Sequence, residues 1–223
     1  NCPVVAYYAE LLQANMDDLK SARFVYPYLS LDSCAALTRT LLPALRELDP
    51  TIRRAEVRRA VDRAFEAYDA YLGALHEAGK NAVEWARANG KRVMILAGRP
   101  YHVDPEISHG IDKLAASLGF AVVTEDSVAN LVPSQKTRVL DQWTFHARMY
   151  RAAEFAVRNP DVELVQLVSF GCGVDAITTD EIRDILDAGG KLYTQIKIDE
   201  ITNLGAVRIR LRSLVGALDE RKG

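Results

Sequence analysis

The sequence predicts an α/β fold, in which an open four-stranded parallel sheet carries helices on both faces and follows an N-terminal helical segment with a long connecting helix. Three observations predict it. Beyond Gly90, short apolar runs alternate with helical patterns four times over. The runs, such as "KRVMILAG" and "VELVQLVSF", are continuous rather than alternating in polarity, as expected of strands buried on both faces of a parallel sheet. Between Arg53 and Asn89, Val57, Val61, Phe65, Leu72, Leu75 and Val83 recur at helical spacing among Arg, Glu and Ala.

Taken in order, "NCPVV" reads as a loop feeding a strand, "AYYAELLQANMDDL" as a short helix, and "FVYPYLSLD" as extended chain broken by Pro27. "SCAALTRTLLPALREL" is a helix from about Ser33. Residues 1–52 thus resemble the remnant of a preceding lobe, and residues 53–89 a connecting helix, or two with a break near Gly79. At 1.5 Å per residue such a helix spans roughly 50 Å and braces or connects two lobes.

Residues 90–223 form the parallel, Rossmann-like lobe. "KRVMILAG" is its first strand, "HGIDKLAASLG" the helix after it, "FAVVTEDS" the second strand, and "TRVLDQWTFHARMYRAAEFAVRN" a long helix. "VELVQLVSF" is the third strand, followed by a helix from Thr178 or Thr179 with Glu181 in its first turn. "KLYTQIKIDE" and a closing helix after Asn203, its candidate N-cap, complete the lobe, although the alternation across 207–211 fits a strand almost as well.

Composition excludes several functions. The formal net charge of -2 offers no electrostatic attraction to nucleic acid or anionic membrane. No apolar stretch approaches the roughly 20 residues of a membrane span, which reads as a cytoplasmic protein. Three widely spaced cysteines, Cys2, Cys34 and Cys172, fit reduced thiols rather than a disulfide framework. The opening at Asn1 without methionine reads as the interior of a longer polypeptide.

Ligands of parallel sheets sit beyond the carboxyl ends of the strands, so the strand exits are where chemistry is expected. The loop after the first strand, "AGRPYHVDPEISHGI", gathers Arg99, Tyr101, His102, Asp104, Glu106 and His109. Arg99 either holds a phosphate or carboxylate, or pairs structurally with Asp104 or Glu106. His102 and His109 lack the partners of a zinc motif, and each is equally explained by backbone hydrogen bonds near a helix start. His146, three residues beyond Trp143, reads as packing. After the third strand, Gly171 and Gly173 flank Cys172 and allow close approach to its thiol, near a helix start that favours the thiolate. Metal ligation by Cys172 is the sharper reading, with Cys2 as companion. Cys34 reads as a small hydrophobe.

Together, "NCPVV", "LAGRPYHVDPEISHGI", "DQWTFHARMYRAA", "SFGCGVDAITTDEI" and "YTQIKIDEITNLGAVRIRLRSL" resemble the carboxyl-terminal region of acyl-CoA dehydratase activase-related proteins, of the 2-hydroxyglutaryl-CoA dehydratase and activator superfamily. The resemblance implies that Cys2 and Cys172 correspond to cysteines of an iron-sulfur cluster of [4Fe-4S] type, held in the full-length parent and incomplete in this chain alone. It further implies an ATPase and upstream cluster-binding domains on the same polypeptide as partners, and an acyl-CoA substrate. The parent would be an ATP-dependent reductase or dehydratase component, while this piece alone would be inactive. Two alternatives stand beside it: a CoA- or phosphate-binding module centred on Arg99 without redox work, and a docking domain.

Overall fold

Proline presets the backbone dihedral that a first helical turn needs and gives up an N–H that the turn leaves unbonded anyway. Accordingly the structure, a computed structural model that describes residues 3–133, 136–169, 171, 173–198 and 204–221, opens with helix α1 (Pro3–Asn15). This corrects the expectation of a loop feeding a strand. The chain divides into two compact units, Asn1–Tyr71 and Leu72–Gly223.

The first unit holds α1, α2 (Cys34–Leu48) and the start of α3 (Arg54–Ala88). Ser33 caps α2, its hydroxyl accepting the Ala36 N–H at 3.1 Å. Ser33→Ala therefore lowers the stability of this unit by about 1 kcal/mol, the usual worth of an N-cap, measurable by denaturant unfolding. Thr38, Ala44, Val57 and Val61 form its buried interior. Helix α3 runs without a break through Gly79 and contributes residues to both units.

Among the described residues the second unit contains four parallel strands, β1 (Val93–Ala97), β2 (Ala121–Thr124), β3 (Val162–Val168) and β4 (Thr194–Lys197), in the order β2-β1-β3-β4. Register is set by Val93 opposite both Ala121 and Val162, and by Val165 opposite Thr194. The helices are α4 (Pro105–Ser108), α5 (Ile111–Ser117), α6 (Glu125–Val128), α7 (Thr144–Arg158), α8 (Gly173–Ala188) and α9 (Leu204–Glu220).

Alternation along β1 divides the core between two faces. Val93, Ile95 and Ala97 pack with Val83 and Ala86 of α3, Met149 and Phe155 of α7, and Ile182 and Leu186 of α8. Met94 and Leu96 pack on the opposite side with Ile111 and Leu114 of α5 and Leu211 and Leu214 of α9. Both faces of the sheet are thus covered, as the unbroken apolar runs require. No helix among the described residues is long and apolar enough to cross a membrane.

Of the boundaries that differ from expectation, three have a visible cause. Strand β2 stops at Thr124, because Thr124 accepts from Ser127 Oγ through its carbonyl and donates to Asp126 through its hydroxyl, turning the chain into α6. Helix α7 begins at Thr144 instead of near Thr137, since Arg138 is drawn to α8, where its N–H donates to Glu181 at 2.9 Å and its guanidinium pairs with Asp184. Helix α8 begins at Gly173 rather than Thr178 or Thr179, and its buried Thr178 returns its hydroxyl to the Val174 carbonyl. Asn203, read as the cap of α9, lies outside the described residues.

Candidate functional site

The strand order creates a crevice for a simple reason. From β1 the chain leads to α5 on one face of the sheet, while from the adjacent β3 it leads to α8 on the other. The two exits part at this point, and such a switch in direction is where open parallel sheets bind ligands.

Two contacts tie the parted loops together. Gly98 closes β1 against an imidazole so tightly that a Cβ there would lie 2.4 Å from His102 Nδ1. His102 Nδ1 accepts the Arg99 N–H at 2.9 Å, so the proton of the neutral ring sits on Nε2, which reaches Ser169 Oγ beyond β3 at 2.6 Å. Burial, reinforced by the Arg99 charge, lowers the pKa of His102 to about 4 and keeps it neutral. The second tie is an ion pair, Arg99 to Asp175 in the first turn of α8, at 2.6 Å with both side chains largely buried. Arg99 therefore pairs across the crevice, and neither Asp104 nor Glu106 is its partner in that contact.

Ionisable groups crowd the same end of the sheet. Glu125, at the exit of β2, is 3% exposed and accepts from the Arg148 guanidinium of α7 at 3.3 Å. Burial, helped by neighbouring Asp126, pushes its carboxyl up to about 7. His146, also on α7, is 8% exposed, and neither ring nitrogen has a hydrogen-bond partner among the described residues. Desolvation and the Arg99 charge lower its pKa, while Asp175 and Asp141 oppose them. Its ring rests on Trp143 at 5.3 Å, so the packing reading accounts for its contacts and leaves its nitrogens unexplained. The Tyr101 ring lies 4.4 Å from that of His102, and its buried hydroxyl likewise has no partner among the described residues.

Beside the crevice, between β3, β4 and α8, lies a hollow of about 420 Å³ lined by Ser169, Gly171, Gly173, Asp175, Thr179 and Lys197. Asp180 lines it too, so among the described residues the hollow holds two carboxylates against one ammonium. On the other side His102 borders a second hollow of about 440 Å³, walled mainly by aliphatic residues including Leu75, Leu96, Val122 and Val123.

The expected site residues divide accordingly. Arg99, Tyr101, His102, Gly171 and Gly173 come together at the β1 and β3 exits. Asp104, Glu106 and His109 do not: Asp104 caps α4 by accepting the Glu106 N–H, and exposed His109 ends that helix in the left-handed region. Cys2 and Cys172 lie outside the described residues. Cys34 opens α2, and desolvation together with a hydrogen bond to Asp62 raises its pKa, disfavouring the thiolate. Among the described residues no group of three or more His, Cys, Asp or Glu is placed to hold a metal ion.

Ser169, Asp175, Glu125 and Arg148 were not legible as site residues. The first three had one signal, a polar side chain immediately after an apolar strand or in the first turn of the next helix. Arg148 had none.

Comparison with known proteins adds a family. The family described as "CoA enzyme activase uncharacterised domain" matches residues 1–128. No curated protein and no solved structure matches the chain.

Proposed function

We propose, from the premise that this chain belongs to the CoA enzyme activase uncharacterised domain family, that it serves an iron-sulfur electron-transfer system of the 2-hydroxyacyl-CoA dehydratase and activator type. In this reading Cys172 and Cys2 are thiolate ligands of a [4Fe-4S] cluster completed by the longer parent polypeptide, whose ATPase powers the reduction. The cluster would supply one-electron transfer. The part of this chain is to hold the loop around Cys172 rigid and to surround it with hydrogen-bond donors.

One observation carries the reading. Arg99–Asp175 and His102–Ser169 bolt the β1 exit to residues on either side of Cys172 in sequence, and Gly171 and Gly173 line the adjoining hollow. A loop with a purely connecting role needs no such anchoring. Two features suit a cluster in kind: His146, near Arg99 and Asp175, brings a buried N–H with no acceptor among the described residues, and α8 begins at Gly173, so the positive end of its dipole favours a thiolate.

The reading as a phosphate or CoA module is weaker on electrostatic grounds. Arg99 is already matched by Asp175, and Lys197 faces two carboxylates, leaving no surplus positive charge in the hollow.

Anaerobic reconstitution of the longer polypeptide tests the proposal by iron content. Cys172→Ser and Cys2→Ser are each expected to lower bound iron several-fold relative to the parent. Unchanged iron in both variants refutes ligation. Calorimetric binding of CoA that is lost in Arg99→Ala and kept in Cys172→Ala would favour the module instead.

A further inference from the structure

At the opposite end of the sheet from the crevice, β3 enters with a charged residue where a core side chain is expected. Glu163 lies opposite Met94 in the β1–β3 register, and its side chain is 2% exposed. Its Oε1 lies 3.7 Å from Arg92 and 3.6 Å from Lys191, too far for hydrogen bonds, and Oε2 is buried with no hydrogen-bond partner among the described residues. A buried carboxylate oxygen left without a donor is costly, so it calls for an explanation.

The cations around it are not interchangeable. Lys191 directs its ammonium protons to the carbonyls of Asn159, Pro160 and Val162 at 2.9, 3.2 and 2.7 Å, so it contributes charge but no spare donor. Arg221 donates to the Gly190 carbonyl at 2.8 Å and acts on Glu163 through its charge. A guanidinium carries five N–H donors, and the contacts of Arg92 and Arg221 among the described residues engage few of them. All four side chains border a hollow of about 270 Å³, lined also by Gly189, Gly190 and Leu218. Three positive charges thus face one negative charge.

A ligand that fits must supply negative oxygens to the arginines and an O–H to Glu163. Carboxylates and sulfate have no proton at neutral pH, and a phosphomonoester, with a second pKa near 6, has lost its own by pH 8. Monohydrogen phosphate keeps one O–H beside its charged oxygens. We propose that this hollow is a binding site for monohydrogen phosphate, with Arg92 and Arg221 holding the oxyanions and Glu163 accepting the remaining proton.

The test is calorimetric titration of the full chain at pH 8 with inorganic phosphate, sulfate and methyl phosphate in turn. Phosphate is expected to bind at least roughly tenfold more tightly than the other two, the worth of one charge-assisted hydrogen bond. Glu163→Gln replaces the acceptor with an amide that can donate, so it should abolish this preference and improve sulfate binding. Arg92→Ala should weaken every anion, and Arg221→Ala, at the exposed rim, repeats that test without disturbing the interior. Absence of saturable phosphate binding, equal affinity for sulfate, or phosphate binding unchanged in Glu163→Gln and Arg221→Ala would each overturn the assignment.

Discussion

Gly79→Ala should destabilise the Leu72–Gly223 unit by about 3 kcal/mol, although glycine to alanine within a helix ordinarily gains about 1 kcal/mol. The sign reverses because a Cβ at position 79 would lie 2.2 Å from the Ser127 carbonyl oxygen and 2.7 Å from its carbonyl carbon. Backbone is the obstacle, so no side-chain rotation relieves it. Ser127 cannot retreat cheaply either, being buried and bonded through Oγ to the Thr124 carbonyl at 2.8 Å. Helix α3 must move away from α6, or α6 must leave the sheet, and overpacking of this kind costs several kcal/mol. Gly73→Ala in the same helix and the same unit is the internal control. Beyond its own helix turn, no atom of the described residues lies within 4 Å of its Cβ position, so it should stabilise by about 0.5–1 kcal/mol. Urea unfolding of the two variants decides the matter, and equal effects would mean that α3 does not sit against α6 as described.

The second large effect concerns pH. Glu125 titrates near 7 in the folded protein, above the ordinary carboxyl range, so the folded state holds its proton more tightly than the unfolded state does. Its contribution is therefore fully present below about pH 4.5 and is lost as pH rises towards 7, on the order of 3 kcal/mol in total. His102 works in the opposite direction. Its folded pKa near 4 lies below that of a free imidazole, so its contribution is present above about pH 6.5 and is lost as pH falls towards 4, by a similar amount. Across roughly pH 4.5 to 6.5 the two slopes nearly cancel. Glu125→Gln removes one of them. The variant should lose stability on acidification through this window by about 1.4 kcal/mol per pH step more than the parent. Denaturant midpoints measured at half-unit intervals report it. A variant with the parental pH slope would show that Glu125 titrates normally.

The legibility of the fold varied from element to element. Strand β1 was readable because all five of its residues, Val93 to Ala97, are buried, and only a doubly covered strand needs that pattern. At α9 the same one-dimensional information was ambiguous. Alternation across 207–211 suited a strand, but the structure buries Val207, Leu211, Leu214 and Leu218 at intervals of four, three and four, which is the period of a helix face. Helix α8 starts earlier than its sequence suggests, because Thr178 and Thr179 look like caps yet are buried within the helix.

The site was half legible for a related reason. Arg99, Tyr101 and His102 stand out in the sequence as part of a dense polar segment after a strand, and Gly171 and Gly173 as a backbone open to close approach. Their partners could not be read locally. Arg99 meets Asp175 across 76 positions and His102 meets Ser169 across 67, while the nearer acids Asp104 and Glu106 were the natural guesses.

What the amino-acid sequence determined by itself was the alternation of elements, the burial of the strands on both faces, and the end of the sheet at which polar chemistry gathers. These depend on periodicity and on turn residues, which act over a few positions. Only the tertiary structure decided which charges neutralise one another, which imidazole is forced to stay neutral, and which carboxylate is left short of a donor. Those outcomes depend on distance and dielectric between segments far apart in the chain, and parallel strands become neighbours only through crossovers that no local pattern records.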